Sequence, residues 1–273
     1  MTVVTPNTPK PAPHDSTRPA RLTHVPAPKA APWPRMLLAQ TLLETRLLLR
    51  NGEQVLLTLV IPVGALVLLA KVPVLRLGGG SRVDFLVPGA IALAVLATSF
   101  TSLAIATGFE RRYGVLKRLG ASPLPRWCLL GGKALTVLVV QLVQTALICA
   151  TGWALGWSAR GGVLPVLALL ALATLALAAL GLLMAGTLRA EVNLAAANLV
   201  FLVLLVGGGV LVPLDAFPAG AHTVLSYTPV AALSDGLRLV LAGTVALPVR
   251  ELAVLAGWAV AGVAAAVRAF RWE

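Results

Sequence analysis

Six long stretches of this chain consist almost entirely of apolar residues, and they constrain the fold more than any other feature of the sequence. They lie at residues 54–70, 85–108, 127–157, 163–188, 194–213 and 250–267. A helix needs about 20 apolar residues to cross the hydrocarbon core of a bilayer. Charged residues make up only 12% of the chain, about half the share found in a soluble domain. We therefore predict an all-α integral membrane protein with six transmembrane helices, called spans 1 to 6 below.

Residues 214–249, between spans 5 and 6, are apolar but are interrupted by Pro, Gly, Asp and Arg. Each uninterrupted apolar piece is too short to cross a bilayer. We predict two short re-entrant helices here, which dip into the outer leaflet before span 6. A seventh complete span is the alternative interpretation.

The distribution of Lys and Arg favours six spans over seven. With six spans, sixteen of the 22 basic residues lie on the same side of the membrane as both termini, and basic loops are cytoplasmic. A seventh span would move the basic C-terminal sequence RAFRWE outside. The net charge of +12 is then explained by topology and not by nucleic-acid binding. The composition is rich in Ala and Arg but poor in Lys, which suggests a bacterial genome of high GC content. Together with the six spans and the charge distribution, it predicts a multi-pass protein of a bacterial plasma membrane with cytoplasmic termini.

The N-terminal region divides into a tail and a helix. Residues 1–34 contain nine prolines and no apolar periodicity, which is typical of a disordered segment. We predict a basic, Pro-rich cytoplasmic tail at 1–34 and a transmembrane domain at 35–273. Residues 35–53 have helical periodicity, with leucines on one arc and three arginines on another. This pattern predicts an amphipathic helix that lies in the membrane interface before span 1, followed by a turn at Asn51-Gly52.

The segment FERRYGVLKRLGASPLPR, residues 109–126, lies between spans 2 and 3 and carries five Lys or Arg residues. A topological anchor that follows the positive-inside rule would need only this charge, and that is the simplest interpretation. On a helical wheel, however, Phe109, Tyr113, Leu116 and Leu119 share one side, and most of the charged residues share the other. Gly120 and the prolines after it indicate a defined helix end. The pattern favours a short amphipathic helix, parallel to the membrane, that docks against a partner.

This segment, preceded by the apolar sequence FLVPGAIALAVLATSFTSLAIAT, resembles the intracellular coupling region of ABC-2 type transporter permeases. It is most similar to the bacterial drug-resistance and lipid-exporter group. The interfacial sequence LLETRLLLRNGEQ, the six spans and the YTPVAALSDGLR sequence before span 6 agree with the same family. The resemblance covers about residues 35–273. Its most specific part is Glu-Arg-Arg followed by Leu-Lys-Arg-Leu and a Pro-rich exit.

The resemblance implies that membrane transport and ATP hydrolysis are carried out by different subunits. In this family two permease subunits, or two halves, pair with two cytosolic ATPases, and the helix between spans 2 and 3 sits in a cleft of the ATPase. The implied partners are a cytosolic ABC ATPase, a second permease subunit in a homo- or heterodimer, and membrane lipids. Carried over to this chain, the ATPase-coupling interface would consist of Glu110, Arg111, Arg112, Tyr113, Leu116, Lys117, Arg118 and Leu119.

The family's interfacial helix corresponds to about residues 36–52 of this chain. Its charged residues Glu44, Arg46 and Arg50 would contribute to the same ATPase contact or would bind lipid phosphates. Both interpretations agree with a helix that lies at the membrane surface.

The chain has no sequence motif for binding ATP. The nearest match to a phosphate-binding loop, WCLLGGKAL, lacks the first Gly and the Ser or Thr. We therefore predict that the chain is not an enzyme, has no catalytic, cofactor or metal site, and depends on a partner subunit to bind ATP and Mg²⁺. The scarcity of ionisable residues in the spans argues against proton coupling and suits export of a hydrophobic or amphiphilic substrate such as a drug, a lipid or a lipid-linked molecule. The alternatives are a non-transporting scaffold or immunity protein that recruits a cytosolic partner, and a secondary transporter.

Overall fold

A computed structural model describes residues 31–71, 82–120 and 125–269. These residues are almost entirely helical, and no strand occurs among them. The helices are α1 (Trp33–Arg50), α2 (Gly52–Lys71), α3 (Arg82–Val95), a π-helix (Leu96–Ser102), α4 (Leu103–Arg112), α5 (Val115–Gly120), α6 (Arg126–Ala154), α7 (Val163–Thr187), α8 (Ala190–Gly207), a 3-10 turn (Leu214–Ala216), α9 (Ala219–Leu225), α10 (Pro229–Leu241) and α11 (Val249–Ala269).

Five of the predicted spans are long and apolar enough to cross a membrane, and the prediction of an all-α integral membrane protein is confirmed. Spans 2 to 6 correspond to Arg82–Arg112, Trp127–Ala154, Val163–Thr187, Ala190–Gly207 and Val249–Ala269. The first of these is one helical stretch made of α3, the π-helix and α4. Predicted span 1 corresponds to helix α2, Gly52–Lys71, which is apolar from Val55 to Ala70.

The segment before span 6 folds into two short helices, α9 and α10, which meet at a bend of 92°. The bend follows from the residues between them. Thr228 is extended, with a ψ of 150°, and caps α10, while Pro229 occupies the first helical position. Proline is favourable there because its missing N–H would have no helical partner. The bend is incompatible with a seventh span formed by one straight helix.

The boundary between the predicted tail and the transmembrane domain falls at the start of α1. Residues 1–30 lie outside the described residues, so the predicted tail stays a prediction. Helix α1 begins at Trp33, two residues earlier than predicted, because Pro34 fits the first turn of a helix. The helix ends at Arg50 with Asn51 as its C-cap, and α2 begins at Gly52, which confirms the predicted turn at this pair.

Span 2 lies at the centre of the packing. Its residues Val87, Ile91 and Phe100 are fully buried and pack in one cluster with α7 and α10. The π-helix of span 2 comes especially close to α7 at Gly181, where an added Cβ would lie 2.8 Å from the backbone oxygen of Phe100. Small residues permit this kind of close approach between membrane helices, and the position of Gly181 therefore sets the spacing of span 2 and span 4.

Replacing Gly181 by Ala is expected to destabilise the protein by about 1–3 kcal/mol, the usual cost of overpacking. The backbone of Phe100 cannot move aside as a flexible side chain could, so the two helices must separate. Thermal unfolding of the purified protein in detergent measures the effect. The matched control is Gly257→Ala in α11, where an added Cβ meets no atom within 4 Å; it should be neutral or stabilising by up to about 1 kcal/mol. Equal melting temperatures for the two variants would contradict the close contact.

Candidate functional site at the end of span 2

The predicted docking helix at 109–120 is not continuous. Helix α4 extends span 2 and ends at Arg112. Tyr113 and Gly114 then form a turn, and α5 begins at Val115. Gly114 has a φ of 72°, a left-handed conformation that glycine adopts without steric cost. The chain changes direction at this glycine, so Glu110, Arg111 and Arg112 belong to the end of the span and not to the short helix. Residues 121–124, which include part of the predicted helix stop, lie outside the described residues.

The apolar residues of the segment face two different surroundings. The rings of Phe109 and Tyr113 stack on each other with centroids 6.2 Å apart. Leu116, by contrast, is fully buried against Leu129 of α6, with Leu119 partly buried beside it. The apolar contact of Leu116 is thus made within the chain, and the predicted contact of its side chain with another protein stays a prediction. The contact with Leu129 fixes α5 to the start of α6.

The arginine pair at the end of α4 binds the connection between α7 and α8. Nη2 of Arg111 donates to the backbone oxygen of Leu188 at 2.6 Å. Arg112 forms an ion pair with Glu191 in the first turn of α8. Both side chains therefore join the end of span 2 to the start of span 5. The predicted contact of Arg111 and Arg112 with an ATPase stays a prediction beside these contacts within the chain.

Lys133 connects the interfacial helix to the end of span 2. Its Nζ atom lies 2.8 Å from the carboxylate of Glu110 and 2.9 Å from Oε1 of Glu44. The Lys133 side chain is only 4% exposed. Gln40 donates a further hydrogen bond of 2.9 Å to Glu44. A buried ammonium group is tolerated only when it is paired, so this cluster holds α1, α4 and α6 together.

The cluster changes the interpretation of two predicted interface residues. Glu44 and Glu110 point toward Lys133, inside the protein, and not toward a partner surface. They also line a cavity of about 190 Å³ between α1, α2, span 2 and α6, together with Thr98, Ser102 and apolar residues. In this conformation both carboxylates act within the chain.

The remaining predicted interface residues are accessible. Tyr113 is 68% exposed, and Lys117 and Arg118 on α5 are exposed as well. On α1, Arg46 and Arg50 are also exposed. The site therefore presents one aromatic ring and several cationic side chains on elements that are fixed from behind by buried contacts.

Amide and hydroxyl side chains connect the first three spans within the helix bundle, farther along span 2 from its end at Arg112. Gln141 of α6 donates to Oγ of Ser99 at 2.9 Å, and Thr98 donates to Oε1 of Gln144 at 3.3 Å. Gln144 in turn donates to the backbone oxygen of Thr58 in α2 at 2.8 Å. Ser99 and Thr98 both lie in the π-helix, an irregularity that is frequent at functional sites. Direct hydrogen bonds therefore connect the π-helix of span 2 to α6, and α6 to α2.

Sequence reasoning did not identify Lys133, Glu191 or Arg238 as structurally important. A sequence signal existed for Lys133, because an ionisable residue inside an apolar run is a functional candidate by default.

Arg238 lies in α10, near the C-terminal end of α8. Its Nη2 donates to the backbone oxygen of Gly209 at 2.5 Å, and its guanidinium carbon lies 4.0 Å from the centre of the Phe85 ring. It joins α10, the end of span 5 and the start of span 2.

Comparisons with known proteins agree with this architecture. A family model described as "ABC-2 family transporter protein" matches residues 78–268, which is more than half of the chain and includes spans 2 to 6 with α5. The chain is also 28% identical over 214 residues to the "Probable doxorubicin resistance ABC transporter permease protein DrrC" of Mycobacterium tuberculosis, from strain CDC 1551 / Oshkosh and from strain ATCC 25618 / H37Rv. Each match covers 75% of this chain and 77% of the relative. The chain therefore belongs to the ABC-2 family of transporter proteins.

Proposed function

We propose that this chain is the membrane-spanning permease subunit of an ABC exporter and that a separate cytosolic ATPase drives it by contact with α5. The observation that carries the proposal is the combination of exposed Tyr113, Lys117 and Arg118 with the buried Leu116 on the same turn-and-helix segment. A surface that receives mechanical force must be accessible on one side and fixed on the other. This segment meets both conditions.

The contacts behind α5 supply the route by which force would reach the membrane. Leu116 connects α5 to α6, Arg111 connects the end of span 2 to Leu188, and Lys133 connects α6 to α1. Packed side chains and hydrogen-bonded networks with discrete arrangements carry energetic coupling between sites. In this proposal Glu44, Glu110, Arg111 and Arg112 transmit the motion, whereas Tyr113, Lys117 and Arg118 touch the ATPase.

The proposed orientation follows from charge. The positive-inside rule places the Arg- and Lys-rich end of span 2 in the cytoplasm, where an ATPase has access to ATP and Mg²⁺. With six crossings both termini are cytoplasmic as well. Arg46 and Arg50 are then exposed at the same membrane surface, within reach of lipid phosphates or the ATPase.

The proposed substrate is a hydrophobic or amphiphilic compound. The curated relatives carry the words "doxorubicin resistance" in their name, and the spans of this chain contain few ionisable residues. A route for a small ion or a proton normally needs ionisable or polar groups along its length.

The proposal also includes a second permease subunit. Asn198 is exposed on α8, on a face that otherwise presents apolar side chains such as Leu199 and Leu202. An amide in the middle of a span is stabilised by a hydrogen bond across a helix–helix interface, which a second subunit would provide.

The decisive experiment reverses the exposed charge on α5. Purification of the chain from its own host should recover an ABC ATPase, and the Lys117→Glu/Arg118→Glu variant should bind that ATPase about 10- to 100-fold more weakly, because like charges across an interface cost several kcal/mol. Stimulation of ATP hydrolysis by the permease and transport should fall in parallel. Arg268→Glu, an exposed residue in the last turn of α11, is the control and should leave binding within about twofold.

Two results would overturn the proposal. An intact complex with unchanged ATPase stimulation in the Lys117→Glu/Arg118→Glu variant would show that α5 is not the contact. Recovery of another kind of cytosolic protein, with no ATPase, would favour a scaffold that recruits a partner.

A further inference from the structure

A basic groove lies between the end of span 2 and the start of span 5. It has a volume of about 420 Å³ and is lined by Gly108, Arg111, Arg112, Gly114, Lys117, Arg189, Ala190 and Glu191. Four of these side chains are cationic and one is acidic. The groove therefore carries three positive charges in excess, in a protein whose charged residues are only 12% of the chain.

Most of this positive charge is not neutralised within the chain. Glu191 pairs with Arg112, and Arg111 uses Nη2 to bind the Leu188 oxygen. The second terminal nitrogen of Arg111, Nη1, is buried but has no hydrogen-bond partner among the described residues. Lys117 and Arg189 are exposed, and no acidic side chain of the described ranges lies within ion-pair distance of either. The groove thus offers two unpaired cations, Lys117 and Arg189, to an anion, whereas Nη1 of Arg111 is buried beneath its surface.

The start of α8 adds a further positive contribution. Arg189 occupies the N-cap position, and its side chain makes no capping hydrogen bond. The first backbone N–H groups of a helix have no partner within the helix and attract anions. Because Ala190, the first residue of α8, lines the groove, these N–H groups add to the positive potential from Arg111 and Lys117.

The position of the groove along the membrane normal identifies the kind of anion. Arg112 is the last residue of the helical stretch that forms span 2, and Ala190 is the first residue of span 5. Span 2 ends in the charged residues Glu110, Arg111 and Arg112, and span 5 begins beside Arg189 and Glu191. Charged side chains are costly in the hydrocarbon core, so the groove lies outside it, on the side of the lipid headgroups. Basic pockets between transmembrane helices on the cytoplasmic side bind anionic headgroups.

We propose that this groove binds the phosphate of an acidic phospholipid, with Arg189 as its direct cationic ligand and with the charges of Arg111 and Lys117 beside it. The glycerol and acyl chains would leave the groove between α4 and α8. A lipid held in this way would join the end of span 2 to the start of span 5 beside the Arg112–Glu191 ion pair. The transporter would then depend on acidic lipid for the rigidity of the segment that precedes α5.

The test measures which lipid stays bound to the purified full-length chain. Native mass spectrometry after incubation with equal amounts of phosphatidylglycerol and phosphatidylcholine of the same acyl chains should show preferential retention of phosphatidylglycerol. Arg189→Gln should lower that preference about fivefold, the effect of one basic residue at a membrane surface. Arg189→Lys, which keeps the charge, should retain most of the wild-type preference.

The control variant is Arg268→Gln, which removes one exposed charge at the end of α11 and should change lipid preference less than twofold. An equal loss in Arg268→Gln, or unchanged retention in Arg189→Gln, would overturn the proposal. Displacement of phosphatidylglycerol by millimolar inorganic phosphate would reassign the groove to a soluble phosphate. Unchanged lipid retention with weaker ATPase binding in Arg189→Gln would reassign it to the protein partner.

Discussion

Replacement of Lys133 by Met is expected to destabilise the protein by about 3–5 kcal/mol, because it leaves a carboxylate pair without its buried counter-charge. Lys133 is 4% exposed and lies within 2.9 Å of both Glu44 and Glu110. Methionine has a similar length and preserves most of the packing volume, so the loss reports on charge and not on a cavity. Thermal unfolding in detergent should show a melting temperature that is lower by roughly 10 °C or more.

The charge argument predicts a rescue. Lys133→Met/Glu110→Gln should be more stable than Lys133→Met alone, since it removes one of the two unpaired carboxylates. Lys71→Met, at an exposed lysine at the end of α2, is the matched control and should stay within about 0.5 kcal/mol of the wild type. A Lys133→Met variant as stable as the control would mean that the cluster does not hold α1 to span 2.

Replacement of Arg238 by Met is expected to cost about 2–4 kcal/mol. The change removes a charged hydrogen bond to the Gly209 oxygen and a cation–π contact with Phe85, interactions worth roughly 1.5–3 and 0.5–2 kcal/mol respectively. It also leaves Asp235, whose carboxylate lies 3.2 Å from Nη1 of Arg238, without its cationic partner. The expected readouts are a lower melting temperature and faster hydrogen exchange in α10 and at the end of α8.

Two further variants separate these contributions. Phe85→Leu removes only the aromatic ring and should cost about 1 kcal/mol beyond its packing change. Arg238→Lys retains the positive charge but not the planar group that contacts Gly209 and Asp235 at the same time. The melting temperature of this variant should therefore lie between those of the wild type and Arg238→Met. If Arg238→Lys matched the wild type, the geometry of the guanidinium group would be unimportant and the contact would be one of charge alone.

The helices were predictable from the sequence because a bilayer leaves few alternatives. In hydrocarbon every backbone N–H and C=O must be satisfied within the protein, and a long apolar run meets this condition as a helix. Spans 2 to 6 and the two short helices before span 6 were predicted correctly for this reason. The division of span 2 by a π-helix was not predictable, since it depends on the neighbouring helices.

The candidate site was predicted less well, and the reason is visible at Gly114. A helical wheel assumes one continuous helix, so it placed Leu116 on the same face as Phe109 and Tyr113. The turn at Gly114 breaks that register and directs Leu116 into the contact with Leu129. Local periodicity cannot reveal such a turn when a glycine also fits the interior of a short helix at a modest cost.

The sequence alone determined that this chain is a helical membrane protein, where its spans lie, and that its basic segment after span 2 resembles an ABC-2 coupling region. Composition and hydropathy suffice for the helical spans, because the bilayer acts on every residue of a span in the same way, whereas the resemblance rests on the residues of the motif itself. Only the tertiary structure decided which charges of that segment face inward. Glu44, Glu110 and Lys133 come from three separate helices, and their ion pairs depend on how those helices pack. The same packing leaves Tyr113, Lys117 and Arg118 exposed and brings Arg189 beside Arg111 in the basic groove.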